Sequence, residues 1–283
     1  MKITYISSSI IPSQKANSVH VMKMCQALGK QENDVTLIAT KGGIEEPFNF
    51  YNVDKTFTLI QTYSFKILPQ LSFLPRLITG IKYSNNADVI YTRWLLAAFV
   101  LIVLRKRNII FEHHSLSTSF VNRIFENLVA KSNRIIRHIF ITNSLKEDFL
   151  KVYPKLKEKD ILVLPDGADI LCPQPFLVGD KKTLSCGYIG SFKKGKGVDI
   201  VVKIAEVIPS MKFHIVGGTE DEINTLKSKT KAQNIIWHGY LNQKNVMKIL
   251  REDIDIALLP NQSSVFVGDK NKGDIGKWTS PMK

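Results

Sequence analysis

Residues 185–209, SCGYIGSFKKGKGVDIVVKIAEVIP, decide how this chain is read. A short apolar strand, SCGYIGS, is followed by a loop holding Gly190, Gly195 and Gly197 with Lys193, Lys194 and Lys196, and an apolar-periodic run opens directly after it. That order is strand, basic glycine loop, helix. Alone, such a loop is a weak phosphate-binding signal that a solvated basic turn matches equally well, so its meaning depends on what surrounds it.

The same rhythm continues on both sides. Downstream, KFHIVGG, NIIWHGY and IDIALLP read as strands, separated by the helical segments DEINTLKSKTK and QKNVMKILRE. Upstream, MKITYISS is a strand and SVHVMKMCQALGKQ an amphipathic helix, with Val19, Met22, Met24, Cys25 and Leu28 at roughly helical spacing. DVTLIAT, ADVIYTR, NIIFEHH, RHIFITNS and DILVLPDG are further apolar strands that end in polar or turn residues. Alternating strands and helices predict parallel sheets covered on both faces. The predicted fold class is therefore α/β, with two Rossmann-like domains over residues 1–168 and 169–283, joined through the linker DGADILCPQPFLVGDKK. Open parallel sheets bind ligands beyond the carboxyl ends of their strands, so the polar strand tails are expected to face a central cleft.

Composition narrows the class. With 44% hydrophobic and 9% aromatic residues in 283, the chain can bury one large core or two ordinary ones. Cys25, Cys172 and Cys186 are too few and too far apart for a disulfide framework or a metal knuckle. The N-terminus has no signal-peptide pattern. The longest apolar run, WLLAAFVLIVL at residues 94–104, suits a buried helix better than a membrane span. A cytoplasmic protein is expected.

The formal charge of +14 calls for an anionic partner. Up to Pro165 there are 22 Lys and Arg against 12 Asp and Glu, and beyond it 17 against 13, so most of the excess lies in the first domain. Residues 55–87 contain no acidic residue and interleave large apolar side chains with Lys66, Arg76 and Lys82. This combination suits an anionic membrane surface, with Phe73 among the inserting side chains. The competing reading is a core-packed helix pair, interrupted at Pro69 and Pro75, with a solvated basic face. No nucleic-acid motif accompanies the basic residues, so nucleic acid is not expected as a partner.

The opening strand and loop into SVHV, then ITNSLKEDF, LPDGAD, GYIGSFKKGKGVD, FHIVGG, WHGYL and ALLP resemble, in order and spacing over essentially the whole chain, the retaining glycosyltransferases of family 4, which have the GT-B fold. The resemblance implies that the loop after the first strand of the second domain binds the diphosphate of a nucleotide-sugar donor, such as a UDP- or GDP-sugar. Lys196 stands at the family's lysine position, while Ser191 replaces the usual arginine, with Lys193 or Lys194 available to supply the charge beside Gly190. It implies a histidine near the donor sugar, best matched by His114 with His113 as the alternative, and base contacts at Tyr240 and Leu241. Asn17 and Ser18 fall in the first loop, where many members carry paired glycines that let the donor phosphate or the acceptor approach the backbone. Gly217 and Gly218 suit either a donor contact or a tight turn after the strand.

The segment GKWTSPMK resembles the lead into a family helix whose early glutamate contacts the donor ribose, so the second domain is expected to be incomplete. No metal or other cofactor is expected, because no carboxylates show metal spacing. The acceptor implied is a glycan or a polyprenyl-diphosphate-linked glycan in bacterial surface polysaccharide synthesis, with the first domain on the acceptor and membrane side, peripheral on the inner face. Two rivals share the features: a nucleotide-sugar 2-epimerase, which needs acid/base carboxylates not identified here, and a catalytically degenerate nucleotide-sugar-binding protein.

Overall fold

The computed structural model describes residues 1–65, 68–168, 183–266 and 273–279. Lys66 and Cys172 lie outside the described residues. The chain divides into two compact units, Met1–Pro165 and Asp166–Lys283.

The first unit is built on seven parallel strands: β1 (Lys2–Ile11), β2 (Asp34–Lys41), β3 (Thr58–Thr62), β4 (Val89–Thr92), β5 (Ile109–His113), β6 (Ile135–Phe140) and β7 (Ile161–Val163). Their order in the sheet is β3-β2-β1-β4-β5-β6-β7. Between them run α1 (Ala16–Lys30), the short α2 (Pro47–Tyr51), α3 (Leu74–Ser84), α4 (Leu95–Val103), α5 (Phe120–Lys131) and α6 (Asn143–Val152). Because successive strand side chains point to opposite faces, each strand feeds two cores. Ile3 and Tyr5 pack with Val21, Met22 and Cys25 of α1 and with Leu37 and Ala39. Ile6 packs on the other face with Leu77, Ala97, Leu101, Ile109 and Phe111. The apolar run at residues 94–104 thus becomes α4, a helix buried along one side, as its length suggests.

Residues 55–87 fold differently from the membrane reading. Part of the stretch is β3, which pairs with β2 from Thr36↔Thr58 to Thr40↔Thr62. Arg76 is not a surface cation: it is only 7% exposed, and its guanidinium donates to Thr40 Oγ1 at 2.6 Å and to the Ser8 carbonyl at 3.2 Å. It also stacks 4.4 Å from the Trp94 ring. Phe73 likewise packs against the second core, edge-on to Trp94. The apolar stem of Arg76 lines this core while the head is hydrogen-bonded, and burial lowers the guanidinium pKa to about 10. Lys82 is exposed.

The second unit has four parallel strands, β8 (Ser185–Ile189), β9 (Lys212–Val216), β10 (Ile235–Gly239) and β11 (Ile256–Leu258), in the order β10-β9-β8-β11. The helices are α7 (Val198–Val207), α8 (Glu220–Lys227) and α9 (Gln243–Glu252). Cys186, Tyr188, Val201, Val202, Phe213 and Ile215 make its core. In each sheet the chain direction of growth reverses once, between β1 and β4 and between β8 and β11, and such a switch point leaves a crevice at the carboxyl ends of the two strands. These two places hold the candidate sites.

Candidate functional site

The basic glycine loop leaves β8 at the switch point of the second unit. Gly195 and Gly197 adopt φ of +87° and +78°, a conformation that side-chain-bearing residues rarely hold. A β-carbon at Gly195 would overlap the Ser264 carbonyl, and one at Gly197 the Pro260 carbonyl. The loop is closed by hydrogen bonds from Gln262 N to the Gly195 carbonyl at 2.8 Å and from Phe266 N to the Lys194 carbonyl at 3.2 Å. Glycine therefore serves here to let the segment after β11 lie backbone to backbone against the loop. Beyond Pro260 of ALLP that bracing segment carries no sequence motif, which is why residues 261–266 were not foreseen.

Within the loop, Ser191, Lys193 and Lys194 are exposed and Gly190 is half-buried. The Ser191 carbonyl accepts from Tyr188 Oη at 2.8 Å, and the Lys194 ammonium sits 5.3 Å from the Phe266 ring centre. Lys196 differs from its neighbours. It is half-buried, and burial lowers its ammonium pKa. Among the described residues no carboxylate pairs with it. Gly197 precedes α7 and offers no side-chain cap; the Ile200 N–H donates to the Gly197 carbonyl at 3.1 Å, and among the described residues the N–H groups of Val198 and Asp199 are left for a ligand. Asp199 lies in that first turn, so the lysines must supply most of the positive charge.

Two neighbouring strand ends complete the rim. Gly217 and Gly218, at φ of +117° and +75°, make the tight turn after β9; Gly217 packs on the Gly190 carbonyl and Gly218 on the Phe192 ring. Tyr240 is exposed and Leu241 half-buried, directly after β10. Gly190, Gly217 and Tyr240 thus follow three adjacent strands at the same edge of one sheet.

The first unit assembles a second group at its own switch point. His114 follows β5, and its Nε2 meets Glu112 Oε1. The same oxygen lies 3.1 Å from His20 Nε2 of α1 and 4.0 Å from Arg93, which follows β4. Tyr91 Oη donates to the other oxygen, Oε2. Glu112 is 2% exposed; His20, His114 and Arg93 remain partly open, with side chains 20%, 22% and 17% exposed. Burial alone would raise the Glu112 carboxyl pKa, but the hydrogen bonds from His114 and His20 outweigh it and hold the group well below the ordinary carboxylate range. Burial lowers the His114 pKa, with Glu112 pulling in the opposite direction. It raises that of Tyr91, and Glu112 adds to the rise.

His113, the alternative to His114, faces the other way along the strand. It is buried, its Nε2 lies 3.0 Å from His138 Nδ1, and it stacks on Phe140. It is a core histidine. Strand alternation could have separated the two, since Glu112 and His114 share one side of β5 and His113 takes the other. His20, Tyr91 and Arg93 were not foreseen, because they come from α1 and the end of β4; Glu112, two residues before His114, was within reach of the same strand alternation. His20, Glu112 and His114 also bring one ligand atom each within 4.8 Å, a metal-capable grouping that carboxylate spacing along the sequence did not suggest.

Asn17 and Ser18 lie in the first turn of α1 rather than in a loop. Ser18 is buried; its Oγ donates to the Ile10 carbonyl at 3.0 Å and lies 2.8 Å from Ser13 Oγ. Its hydroxyl ties the helix to the end of β1, so the expected loop position is the first turn of a helix. Asn17 is half-buried, and its Oδ1 accepts from Ser18 Oγ at 3.4 Å.

Two parallel α/β units, each with polar groups gathered at the carboxyl ends beside a switch point, have the architecture of GT-B glycosyltransferases. The chain belongs to Glycosyltransferase Family 4, whose family model matches residues 18–170. Among solved structures, HepE of Anabaena in complex with UDP and glucose superposes with a TM-score of 0.65 at 15% identity, covering 91% of this chain and 73% of that one. Sucrose-phosphate synthase from Thermosynechococcus elongatus gives 0.67 at 16% identity, over 92% of this chain and 75% of that one. WaaG, a glycosyltransferase involved in lipopolysaccharide biosynthesis, gives 0.59 at 14% identity, over 92% and 75%. No curated protein matches by sequence.

Proposed function

We propose that this protein transfers a sugar, with retention at the anomeric carbon, from a nucleotide-sugar donor to a glycan or polyprenyl-diphosphate-linked acceptor in bacterial surface polysaccharide synthesis. The observation that carries this reading is Lys196: a half-buried cation without a carboxylate partner among the described residues, in a glycine-built loop at a switch point. Breaking the anomeric bond leaves a nucleoside diphosphate, and the growing charge needs fixed donors. Lys196, the open N–H groups of α7, and Lys193 or Lys194 in place of the family's arginine supply them. Tyr240 and Leu241 would flank the base. His114 would meet the sugar, held in place through Glu112.

The neighbours support the substrate class without extending it, since UDP and glucose are bound in HepE and WaaG acts in lipopolysaccharide biosynthesis. No described helix is long and apolar enough to cross a membrane. A lipid-linked acceptor would be reached peripherally, and the exposed Lys82 and Ile78 of α3, together with the basic excess of the first unit, favour an anionic surface.

Calorimetry with UDP and GDP tests the donor site. Lys196→Ala should weaken binding by roughly 1.5–3 kcal/mol, the range for hydrogen bonds to charged groups, while His114→Ala spares it. Unchanged affinity in the Lys196 variant places the donor elsewhere. Radiolabelled donors incubated with a lipid extract then separate transfer from epimerisation and from binding alone, because each leaves a different product.

A further inference from the structure

We propose that α5 is an interfacial helix whose outer apolar stripe docks on an anionic membrane surface. Phe120, Val121, Ile124 and Leu128 of this helix are 78%, 55%, 50% and 37% exposed. With 3.6 residues per turn, these four fall within roughly 100° of arc. The buried Glu126, Val129 and Ala130 centre on the opposite side of the helix. That inner side is accounted for, since Val129 joins the core over the sheet and Phe125 stacks on Phe99 of α4 at 4.1 Å. The helix is therefore apolar on two opposite faces, and only one of them is covered. A single exposed apolar side chain is ordinary, whereas a contiguous stripe marks an interaction site.

Charge selects the partner. From Val89 to Lys146 the sequence has nine Lys and Arg against two carboxylates, Glu112 and Glu126, and the fold buries both, at 2% and 3% exposed. Arg105, Arg107, Arg123 and Lys131 are exposed. Helical spacing puts Lys131 inside the arc of the stripe and Arg123 beside it. This stretch of chain thus offers solvent apolar groups and cations and no carboxylate. That is the composition of a helix lying in a membrane interface, where the apolar face enters the acyl boundary and the cations meet anionic headgroups. Two copies joined along the stripe by a two-fold axis would instead set like charges against one another. Leu77 of α3, Leu101 of α4 and Val129 of α5 share one core, so the exposed Lys82 of α3 lies on the same side of the sheet.

The stripe also has a direction. In a parallel α/β unit the helix runs back from the carboxyl end of the preceding strand, so Phe120, six residues beyond His114, stands at the end of the sheet that gathers Arg93, Glu112 and His114. A bilayer along the stripe would bring headgroups to that end, where a lipid-linked acceptor would be taken without leaving the membrane. This last step rests on the glycosyl-transfer reading; the docking does not.

Flotation of the full chain with vesicles of phosphatidylglycerol and phosphatidylcholine, and of phosphatidylcholine alone, tests the surface. Binding should require the anionic lipid and fall with salt. Phe120→Ser combined with Ile124→Ser should lower partitioning roughly tenfold or more at an unchanged thermal transition, because both side chains face solvent in the folded chain. Arg107→Gln and Lys131→Gln should each lower it about fivefold. The fluorescence of Phe120→Trp should be quenched by brominated acyl chains beyond the level of the wild type. Equal binding to neutral vesicles, a double serine variant that floats like the wild type, or a bound Phe120→Trp without added quenching would overturn the proposal. A dimer in sedimentation velocity that the double serine variant abolishes would assign the face to a second copy and overturn it too. Should that variant lose its thermal transition, the tryptophan quenching decides. Calorimetry with UDP and GDP keeps the two readings apart: vesicle binding by a wild type that binds neither nucleotide leaves the docking surface in place and removes its role in acceptor delivery.

Discussion

The buried pair His113–His138 predicts an acid-labile first unit, and its size follows from the structure. Burial, only partly offset by Asp160, pushes the His138 pKa down from 6.5 to about 4, and burial pushes His113 further below its ordinary value. Both groups have a folded pKa below the unfolded one, so below pH 6.5 the unfolded chain binds more protons and stability falls as pH falls. The stabilisation is complete above about pH 6.5 and is lost progressively toward pH 4. For His138 alone, a shift of about 2.5 units corresponds to roughly 3 kcal/mol in full, of which about 2 kcal/mol is lost between pH 8 and pH 5. His113 adds to this. Urea unfolding across that range, followed at the first unit, should show the midpoint falling at unchanged slope. In His138→Gln, which keeps hydrogen-bonding atoms beside His113 Nε2 but does not titrate, the pH dependence should shrink by about that amount while stability at pH 8 drops. Equal pH dependence in wild type and variant would show that the ring protonates as readily in the fold as in the unfolded chain, and the buried-pair reasoning would be wrong.

Further outcomes follow from other contacts. Arg76→Ala removes a buried guanidinium with hydrogen bonds to Thr40 and Ser8, and should cost about 2 kcal/mol, or roughly 4–8 °C in Tm for a unit of this size; Arg76→Met, which keeps the packed stem, should cost less. Lys82→Gln should leave Tm unchanged and weaken salt-sensitive flotation with anionic vesicles, and equal flotation with neutral vesicles would remove the membrane from the list of partners. Gly195→Ala places a β-carbon against the Ser264 carbonyl at a φ of +87°, so urea unfolding should report a loss above about 2 kcal/mol together with weaker UDP or GDP binding. A fully stable Gly195→Ala with normal nucleotide affinity would mean that the segment after β11 does not brace the loop.

Most of the fold was legible because parallel strands buried on both faces are β-branched and apolar runs, and the helices between them repeat at helical spacing. β3 was missed. Its sequence, TLIQT, lies inside a longer apolar and basic stretch without turn residues on both sides, and the partner that makes it a strand is β2. The same stretch shows why composition misplaced Arg76. A cation among apolar residues describes a membrane-facing surface and a guanidinium tucked over a tryptophan equally well, and only the position of Trp94 distinguishes them. The basic loop was readable since strand, glycine loop and helix are contiguous in the chain, whereas its brace at residues 260–266 arrives from beyond β11.

By itself the sequence determined the α/β class, the order of the strands and helices apart from β3, and the loop at Gly190 and Lys196, for these rest on residues near one another along the chain, while His114 was singled out by the family resemblance. Only the tertiary structure decided that His20, Tyr91, Arg93, Glu112 and His114 meet, that Ser18 and Arg76 turn inward, and that Lys196 is half-buried. Sheet order is a long-range property. It brings β1, β4 and β5 side by side across more than a hundred residues of chain, and the charge and tautomer of a buried group depend on which neighbours that order delivers.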